Sequence, residues 1–421
     1  MNYTEILHDI LKSSNDLINS PEYRIAYSDN KKFIRNRKLS FANSIYLILS
    51  GLRKSLSIEI SNFADKYSDL NFQGVSKQAF SKARQHILPE AFSELCRLIV
   101  KIFYGSGMNT NQWNGFNVFA IDGTSLQIPD TLENVEVFGC KKNQYNIKTA
   151  LASASMLYDV LNDIVVDAII DTYPAKEKIQ ARNHIETITT LNQLQNSIIT
   201  FDRGYPSFEF FNYLSEKGIF YVFRLSEAFN FAKSEVSEDT IHTYKKGKIT
   251  GNLRIIKIIL PDGTKETLAT NLFDATISVN MFKELYFLRW GIEVKYKELN
   301  SNIEIEEFSG KKPITIKQDF YASIYLSMIA SLLKKQSDEL IRASLPSNAK
   351  YQYQSNRKFI LNKVFRHGIE ILVYPRKRKI LIKKIIKNAQ KIRSQIRPNR
   401  SCERQNRHPR KKHHYQSKAC I

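Results

Sequence analysis

Val118-Phe119-Ala120-Ile121-Asp122-Gly123-Thr124 and Ile198-Ile199-Thr200-Phe201-Asp202-Arg203-Gly204-Tyr205 decide the fold, because they carry the same pattern twice. In each, a short apolar run suited to a buried β-strand leads into an aspartate and then a glycine, the residue that lets a backbone turn freely. Each carboxylate is therefore expected where a strand ends. In open α/β sheets ligands collect at strand ends, so two acids on neighbouring strands can be aimed at one point. Taken singly, either motif reads more simply as a turn, since Asp and Gly are both turn formers.

Further β-rich runs surround the first motif: Phe116 to Ile121, Ala150 to Tyr158 and Ile164 to Ile170, the last two separated by the turn pair Asn162-Asp163. A helical pattern then runs from Lys176 to Leu194, followed by the strand Ser197 to Phe201, a helix from Pro206 to Lys217 and the strand Phe220 to Leu225. Consecutive strands followed by alternating helices and strands specify an α/β fold on a mixed sheet. Residues 226–277 break this rhythm with polar alternation in Leu253-Arg254-Ile255-Ile256-Lys257-Ile258, a turn at Pro261-Asp262-Gly263 and a run from Thr267 to Thr270, and read as an inserted β-rich subdomain. A long helix from Val279 to Leu299 and further helices between Asp319 and Leu345 complete a unit over residues 111–345.

Ahead of that unit, residues 1–110 read as all-α, with apolar spacing of three and four through Ile6, Ile10 and Leu11 and again through Phe41, Ile45, Leu49 and Leu52. Gly74 and Ser76 precede a short helix, Lys77 to Ile87, with Phe80, Ala83 and Ile87 on one side and Lys77, Ser81 and Arg84 on the other. That pattern fits a helix-turn-helix recognition helix, and equally a plain amphipathic helix with a solvated basic face.

The third acid comes from the long helix. Tyr286, Arg289, Glu293, Lys297 and Asn300 are spaced by three, four, four and three residues, which puts all five on one helical face. Leu285, Leu288, Ile292, Tyr296 and Leu299 take another face, so the helix can pack on the sheet beside its polar stripe. A solvated face stapled by Arg289–Glu293 and Glu293–Lys297 pairs has the same spacing, but it does not call for Tyr286. Two Asp and one Glu meeting at a point make an all-oxygen site, suited to Mg²⁺ or Mn²⁺ and unsuited to zinc, which draws on His and Cys. Two such ions about 4 Å apart activate a water or a 3′ hydroxyl and stabilise the leaving oxygen of an in-line displacement at phosphorus. Asp122, Asp202 and Glu293 are thus the candidate catalytic and metal-binding residues, with Arg289 and Lys297 placed to grip neighbouring phosphates.

Charge supports a polyanionic partner. The chain carries a net +22, and residues 351–421 hold 21 Lys and Arg against only Glu370 and Glu403, so +19 of the excess is C-terminal. Lys and Arg on phosphates release condensed counterions and give strong, salt-dependent binding. A solvated tail or an anionic membrane surface would also accept the charge, but Tyr374 and Tyr415 are the only aromatics near its densest part and no amphipathic anchor is evident. The composition, 43% hydrophobic and 25% charged, is that of a chain that folds rather than one that stays disordered. Cys96, Cys140, Cys402 and Cys420 show no metal-ligand spacing and no disulfide framework. The polar start Met1-Asn2-Tyr3-Thr4-Glu5 does not read as a signal peptide, and no apolar run is long enough to span a membrane. A cytoplasmic protein with DNA as partner and no membrane association is expected.

Asp122-Gly123-Thr124, Asp202-Arg203-Gly204-Tyr205 and the Tyr286/Arg289/Glu293 helix together resemble transposases of the IS-four group of bacterial insertion sequences, in the family's order. The likeness continues through Pro129-Asp130-Thr131, residues 305–311, Gln318-Asp319-Phe320-Tyr321 and the basic run from Arg397 to Lys412, covering roughly residues 35–415. The resemblance implies a ribonuclease-H-like core with an acidic triad, interrupted by a β-rich insertion between the second Asp and the Glu. It also implies cut-and-paste chemistry: hydrolysis at inverted-repeat ends, attack of the freed 3′ hydroxyl on target DNA, and a homodimer bridging two ends. The expected DNA contacts are Tyr286, Arg289, Lys297 and Asn300 on the helix, Arg203 beside Asp202, Lys77 and Arg84 near the N-terminus, and Arg397, Arg400 and Arg404 in the basic region 346–421. Two departures stand out. Asn300 occupies the place of the signature's final Lys, and where family members often use an aromatic residue in the insertion to hold a flipped base, this insertion has no tryptophan, the two tryptophans being Trp113 and Trp290. Phe229, Phe231 or Tyr244 would have to serve there. A catalytically silent DNA-binding relative and a structure-selective nuclease of the same fold are the competing readings. His184, near Arg182 and Glu186, is a further candidate that reads more simply as part of a surface helix.

Overall fold

The apolar run Val118–Ile121 lies inside a strand, but that strand does not stop at the aspartate: β1 is Asn117–Gln127. The computed structural model describes residues 2–397 apart from 30–31, 35–37, 53–54, 71, 73, 143, 147, 191–195, 230–237 and 261–262. Along the chain follow β2 (Cys140–Lys142), β3 (Lys148–Asp159), β4 (Ile164–Asp171), β5 (Ser197–Phe201) and β6 (Phe220–Arg224). Then come β7 (Asp239–Lys246), β8 (Ile249–Ile259) and β9 (Lys265–Thr270). They form one sheet in the order β2-β3-β1-β5-β6-β9-β8-β7, with β4 also paired to β3. β1, β5 and β6 run parallel to one another, whereas β3 is antiparallel to both β1 and β4.

The insertion is therefore not a subdomain standing apart. β9 pairs antiparallel with β6, and β8 and β7 follow, so these strands lengthen the central sheet. The physical reason is that Val222, Phe223 and Arg224 present an open parallel edge whose N–H and C=O groups need partners, and Leu268 to Thr270 supply them.

Strand alternation sorts the two faces. Val118, Ile198 and Val222 pack with Ile256, Leu268, Phe282, Leu285 and Tyr286, so helix α10 (Val279–Leu288, named after the helices below) covers that face. Phe119, Ile121, Ile199, Phe201 and Phe223 face the larger core on the other side. Nine helices precede α10 among the described residues: α1 (Tyr3–Asn19), α2 (Pro21–Tyr27), α3 (Phe41–Leu49), α4 (Leu56–Lys66), α5 (Lys77–Arg84), α6 (Glu90–Gly105), α7 (Leu132–Val137), α8 (Glu177–Thr190) and α9 (Phe208–Glu216). α8 and α9 pack on the larger core through Ala181, Ile185, Phe210, Phe211 and Leu214. After α10 come α11 (Trp290–Ser301), α12 (Pro313–Ser344), α13 (Arg357–Val373) and α14 (Pro375–Lys391), the last two bracketed by the small ribbon β10 (Tyr353–Ser355) and β11 (Arg393–Gln395).

The six helices of the first 110 residues agree with the all-α expectation, and α1 opens with a capping box in which Asn2 and Glu5 satisfy each other's backbone N–H. Their apolar sides do not form a core of their own: residues from Tyr3 to Ala389 share one buried cluster with the sheet. The segment from Asp319 to Leu345, expected as several helices, is one continuous helix starting with Pro313 at its first turn. Among the described residues no helix is long and apolar enough to cross a membrane.

Candidate active site

Parallel pairing of β1 with β5 aligns Val118 with Ile198 and Ala120 with Thr200. That pairing ends at Ala120 and Thr200, and Asp202, two residues on and immediately after β5, lies near enough to Asp122 for its charge to raise the Asp122 pKa. Asp122 itself sits mid-strand, opposite Met156 of β3, and not at a turn as the Asp-Gly pair suggested. The strand goes on because β3 is long enough to pair it as far as Gln127. Gly123 donates its N–H to Asp122 Oδ1 at 2.9 Å.

The face that holds both aspartates is the one covered by α10 and α11. The expected single helix from Val279 to Leu299 is broken at Arg289, where bonds of the tighter i to i−3 type appear: Arg289 N–H donates to the Tyr286 carbonyl and Ile292 N–H to the Arg289 carbonyl, each at 3.1 Å. The stripe survives the break, and Ile292, Tyr296 and Leu299 are buried beside it. Tyr296 donates its hydroxyl to the Asp122 carbonyl at 2.8 Å, which pins α11 to β1. Glu293 thereby comes to the aspartates' side of the sheet.

Arg289 stands among the three acids. It is 3% exposed, with Nη2 2.8 Å from Glu293 Oε1 and Nη1 3.8 Å from Asp122 Oδ2. Burial opposes its charge, but Tyr286, Asp202, Glu293 and Asp122 outweigh that and hold its pKa above the usual value. Asp122 shows the opposite imbalance. Burial, reinforced by Asp202 and Glu293, pushes its carboxyl up to about 6 despite the Gly123 N–H and Arg289. Asp202 Oδ1, the Tyr205 hydroxyl and Arg289 Nε and Nη1 are all buried without a hydrogen-bond partner. Such a gathering of unsatisfied polar atoms offers hydrogen-bonding and ligating capacity that the chain itself does not use. The donor set, three carboxylates drawn around one cation, has the chemistry of a hard-cation site. Among the described residues, however, no three His, Cys, Asp or Glu side chains stand close enough to hold an ion between them, and Glu293 is turned to Arg289 instead.

The other expected contacts divide by burial. Lys77, Arg203, Lys297, Asn300 and Arg397 are exposed. Tyr286 is buried, its hydroxyl 3.5 Å from the Phe201 carbonyl. Arg84 is a correction: it is 1% exposed and its guanidinium is spent on Gln318, Ser309 and Asp319, leaving it no surface to offer DNA. α5 turns Arg84 inward because Gln318, Ser309 and Asp319 accept its guanidinium there, partners that periodicity does not reveal. Arg400 and Arg404 lie outside the described residues. Of the aromatics named as candidates to hold a base, Phe231 also lies outside them, and Tyr244 is buried in a stack on Phe208 at 4.9 Å, so it is a core residue. Phe229 is half-buried against Phe208 and Phe211.

His184 corrects the surface-helix expectation. It is fully buried on the inner side of α8, with Nδ1 2.7 Å from Asp167 Oδ2 and Nε2 3.0 Å from Ser155 Oγ, and Ser155 donates to the Asp122 carbonyl at 3.2 Å. Sequence reasoning missed a larger feature behind the site. Lys295 Nζ is buried 2.6 Å from Asp163 Oδ1 and 3.2 Å from Glu298 Oε1, and Arg357 reaches both carboxylates, so the β3–β4 turn, α11 and α13 are joined by one ionic cluster. Its members are scattered along the chain, and no local spacing marks them.

Residues 113–329 match the family model described as the transposase DDE domain. InsZ of Escherichia coli (strain K12), which bears a transposase name, is 26% identical over 161 residues, 37% of this chain, and the match spans about half, 50%, of that relative's length. Among solved structures, a piggyBac transposase synaptic complex with hairpin DNA aligns over 90% of this chain and 84% of that one at 11% identity, with a TM-score of 0.45.

Proposed function

We propose, from the premise that this chain belongs to the transposase DDE domain family, that it cuts and rejoins DNA phosphodiester bonds at Asp122, Asp202 and Glu293. The observation that supports the reading is Arg289, buried and within ion-pair reach of Asp122 and Glu293, with the Asp202 charge close enough to act on it and unsatisfied polar atoms on Asp202, Tyr205 and Arg289. The five strands β4-β3-β1-β5-β6, with β3 alone reversed and helices on both faces, support a ribonuclease-H-like core.

The residues fit Mg²⁺ or Mn²⁺ by donor chemistry. Asp122 and Asp202 would hold the ions from the strands and Glu293 from the helix, and two divalent ions supply activation of the attacking oxygen and stabilisation of the leaving one. The chain's own part is positioning. Tyr296 and Ser155 fix the Asp122 main chain, and Arg289, a buried cation, offsets the negative charge of the acids. Lys297 and Arg203, both exposed and close in sequence to the acids, would meet the flanking phosphates. On this reading the protein excises and inserts a mobile element as a homodimer, with residues 1–110 and 346–421 contributing DNA contacts.

The test is incubation with DNA bearing the element's ends and Mg²⁺. End cleavage should fall by at least about a hundredfold, comparable to losing a principal catalytic group, in each of Asp122→Ala, Asp202→Ala and Glu293→Gln. Cleavage that persists in those variants would overturn the assignment.

A further inference from the structure

The positive charge that the sequence concentrates at the C-terminal end is not confined to the region beyond residue 397; much of it is mounted on α14. Arg376, Lys379, Lys383, Lys384, Lys387 and Lys391 are all exposed. At about 100° per residue they fall within roughly 140° of arc. The opposite side is apolar and buried, with Ile382, Ile385, Ile386 and Ala389 in the common core. Arg378 locks the helix in place from the inside. Its guanidinium donates to the Ile371 and Leu372 carbonyls at 2.6 and 2.7 Å, satisfying the C-terminal end of α13, and reaches the His8 carbonyl of α1 at 3.5 Å. The cationic row is thus held on a docked helix.

The row works against the helix that carries it. Lys379, Lys383, Lys387 and Lys391 are like charges four residues apart, an arrangement that destabilises an isolated helix. Arg376 and Lys377 lie in the first turn, where the helix dipole favours anions. No Asp or Glu occurs between residues 371 and 402 to offset them, and among the described residues none of the six cations forms an ion pair. Rim charges kept for solubility are normally mixed in sign. A single-sign row on a rigid helix is instead complementary to a polyanion that neutralises it on contact. A bilayer surface fits less well, because helices that lie on lipid carry bulky apolar residues into it and Ile380 is the only large apolar side chain exposed on this one.

We propose that the outer face of α14 binds the phosphate backbone of duplex DNA without reading its sequence, as a contact separate from the carboxylate site. The row from Lys379 to Lys391 spans three intervals of about 6 Å, which matches roughly five nucleotide steps along one strand. This rests on DNA being the substrate, and its test is independent of cutting.

Full-length protein in EDTA is titrated into fluorescently labelled duplexes, one carrying an element end and one scrambled, across a salt series, and compared with the quadruple variant Lys379→Gln, Lys383→Gln, Lys387→Gln, Lys391→Gln. The slope of log affinity against log salt should fall by about 3 to 4, near 0.9 for each phosphate contact removed, and equally for both duplexes. The variant's Tm should be equal to or above that of the unaltered protein, since repulsion has been removed. An unchanged slope would overturn the proposal, as would a loss confined to the end-bearing duplex, which would mean sequence readout. Sedimentation with phosphatidylserine vesicles forms a second arm: a loss there with DNA binding intact would assign the row to membranes instead. Failure of end cleavage in Mg²⁺ with this slope change present would sink the catalytic reading and leave the α14 contact standing.

Discussion

Asp122 is held in a place that resists its negative charge. Its side chain is 23% exposed and its pKa is raised from 3.8 to about 6, first by burial and then by Asp202 and Glu293. A carboxyl whose folded value lies above its unfolded one contributes stability that is complete below the unfolded pKa and is lost as pH rises through the folded one. At pH 8 the deficit amounts to about 2–3 kcal/mol. In EDTA at pH 8, Asp122→Asn should therefore be more stable than the unaltered protein by up to that amount, with the gap closing by about pH 4. Added Mg²⁺ should raise the Tm of the unaltered protein and leave the Asn variant nearly unmoved. Urea melts in which Asp122→Asn is the less stable protein at pH 8 would refute this account of the site.

At the scale of elements, α11 is held between the face bearing Asp122 and the helices behind it by Lys295. Burial alone would raise the pKa values of Asp163 and Glu298, but Lys295 and Arg357 reverse that and keep both carboxylates below their ordinary range. The sign is now the reverse of Asp122's. Stability from these pairs is present above the ordinary carboxylate pKa and is lost as pH falls through the depressed values. Lys295→Met leaves Arg357 to balance two interior carboxylates, a net buried negative charge that costs up to about 3–5 kcal/mol at neutral pH. The difference from the unaltered protein should shrink by pH 3, where the carboxylates take up protons whether or not Lys295 is present. A penalty of equal size at pH 7 and pH 3 would show that the lost contribution was packing and not charge. The break at Arg289 belongs to this scale too: it lets α10 follow the sheet while Arg289 turns inward among the acids.

Across the whole molecule, elements remote in sequence are interleaved in one interior. Tyr3, Ile6 and Ile10 of α1 share a buried cluster with Ile382 and Ala389 of α14 and with Phe119 and Phe201 of the sheet. The inserted strands add to the same sheet at the β6 edge. A core shared in this way should melt as one unit. Scanning calorimetry is expected to show a single transition, with removal of residues 3–19 lowering its Tm steeply because α1 leaves an apolar face uncovered. Two well-separated transitions would mean that the helical ends fold as units of their own.

What the amino-acid order determined by itself was whatever is periodic or adjacent. The apolar runs before Asp122 and Asp202, the stripe carrying Arg289 and Glu293, the helices of the first 110 residues and the C-terminal charge are all local patterns, and the first three appear in the structure as strands and helices of the expected type. Only the tertiary structure decided what depends on a neighbour. It turned Asp122 from a turn residue into a mid-strand one by supplying β3 as a partner, and it joined the insertion to the β6 edge. It also buried Arg84 against Asp319 and His184 against Asp167, and it assembled the ionic cluster of Asp163, Lys295, Glu298 and Arg357. Side-chain burial and pairing are set by groups that lie tens to hundreds of positions away, and no window along the chain contains both partners.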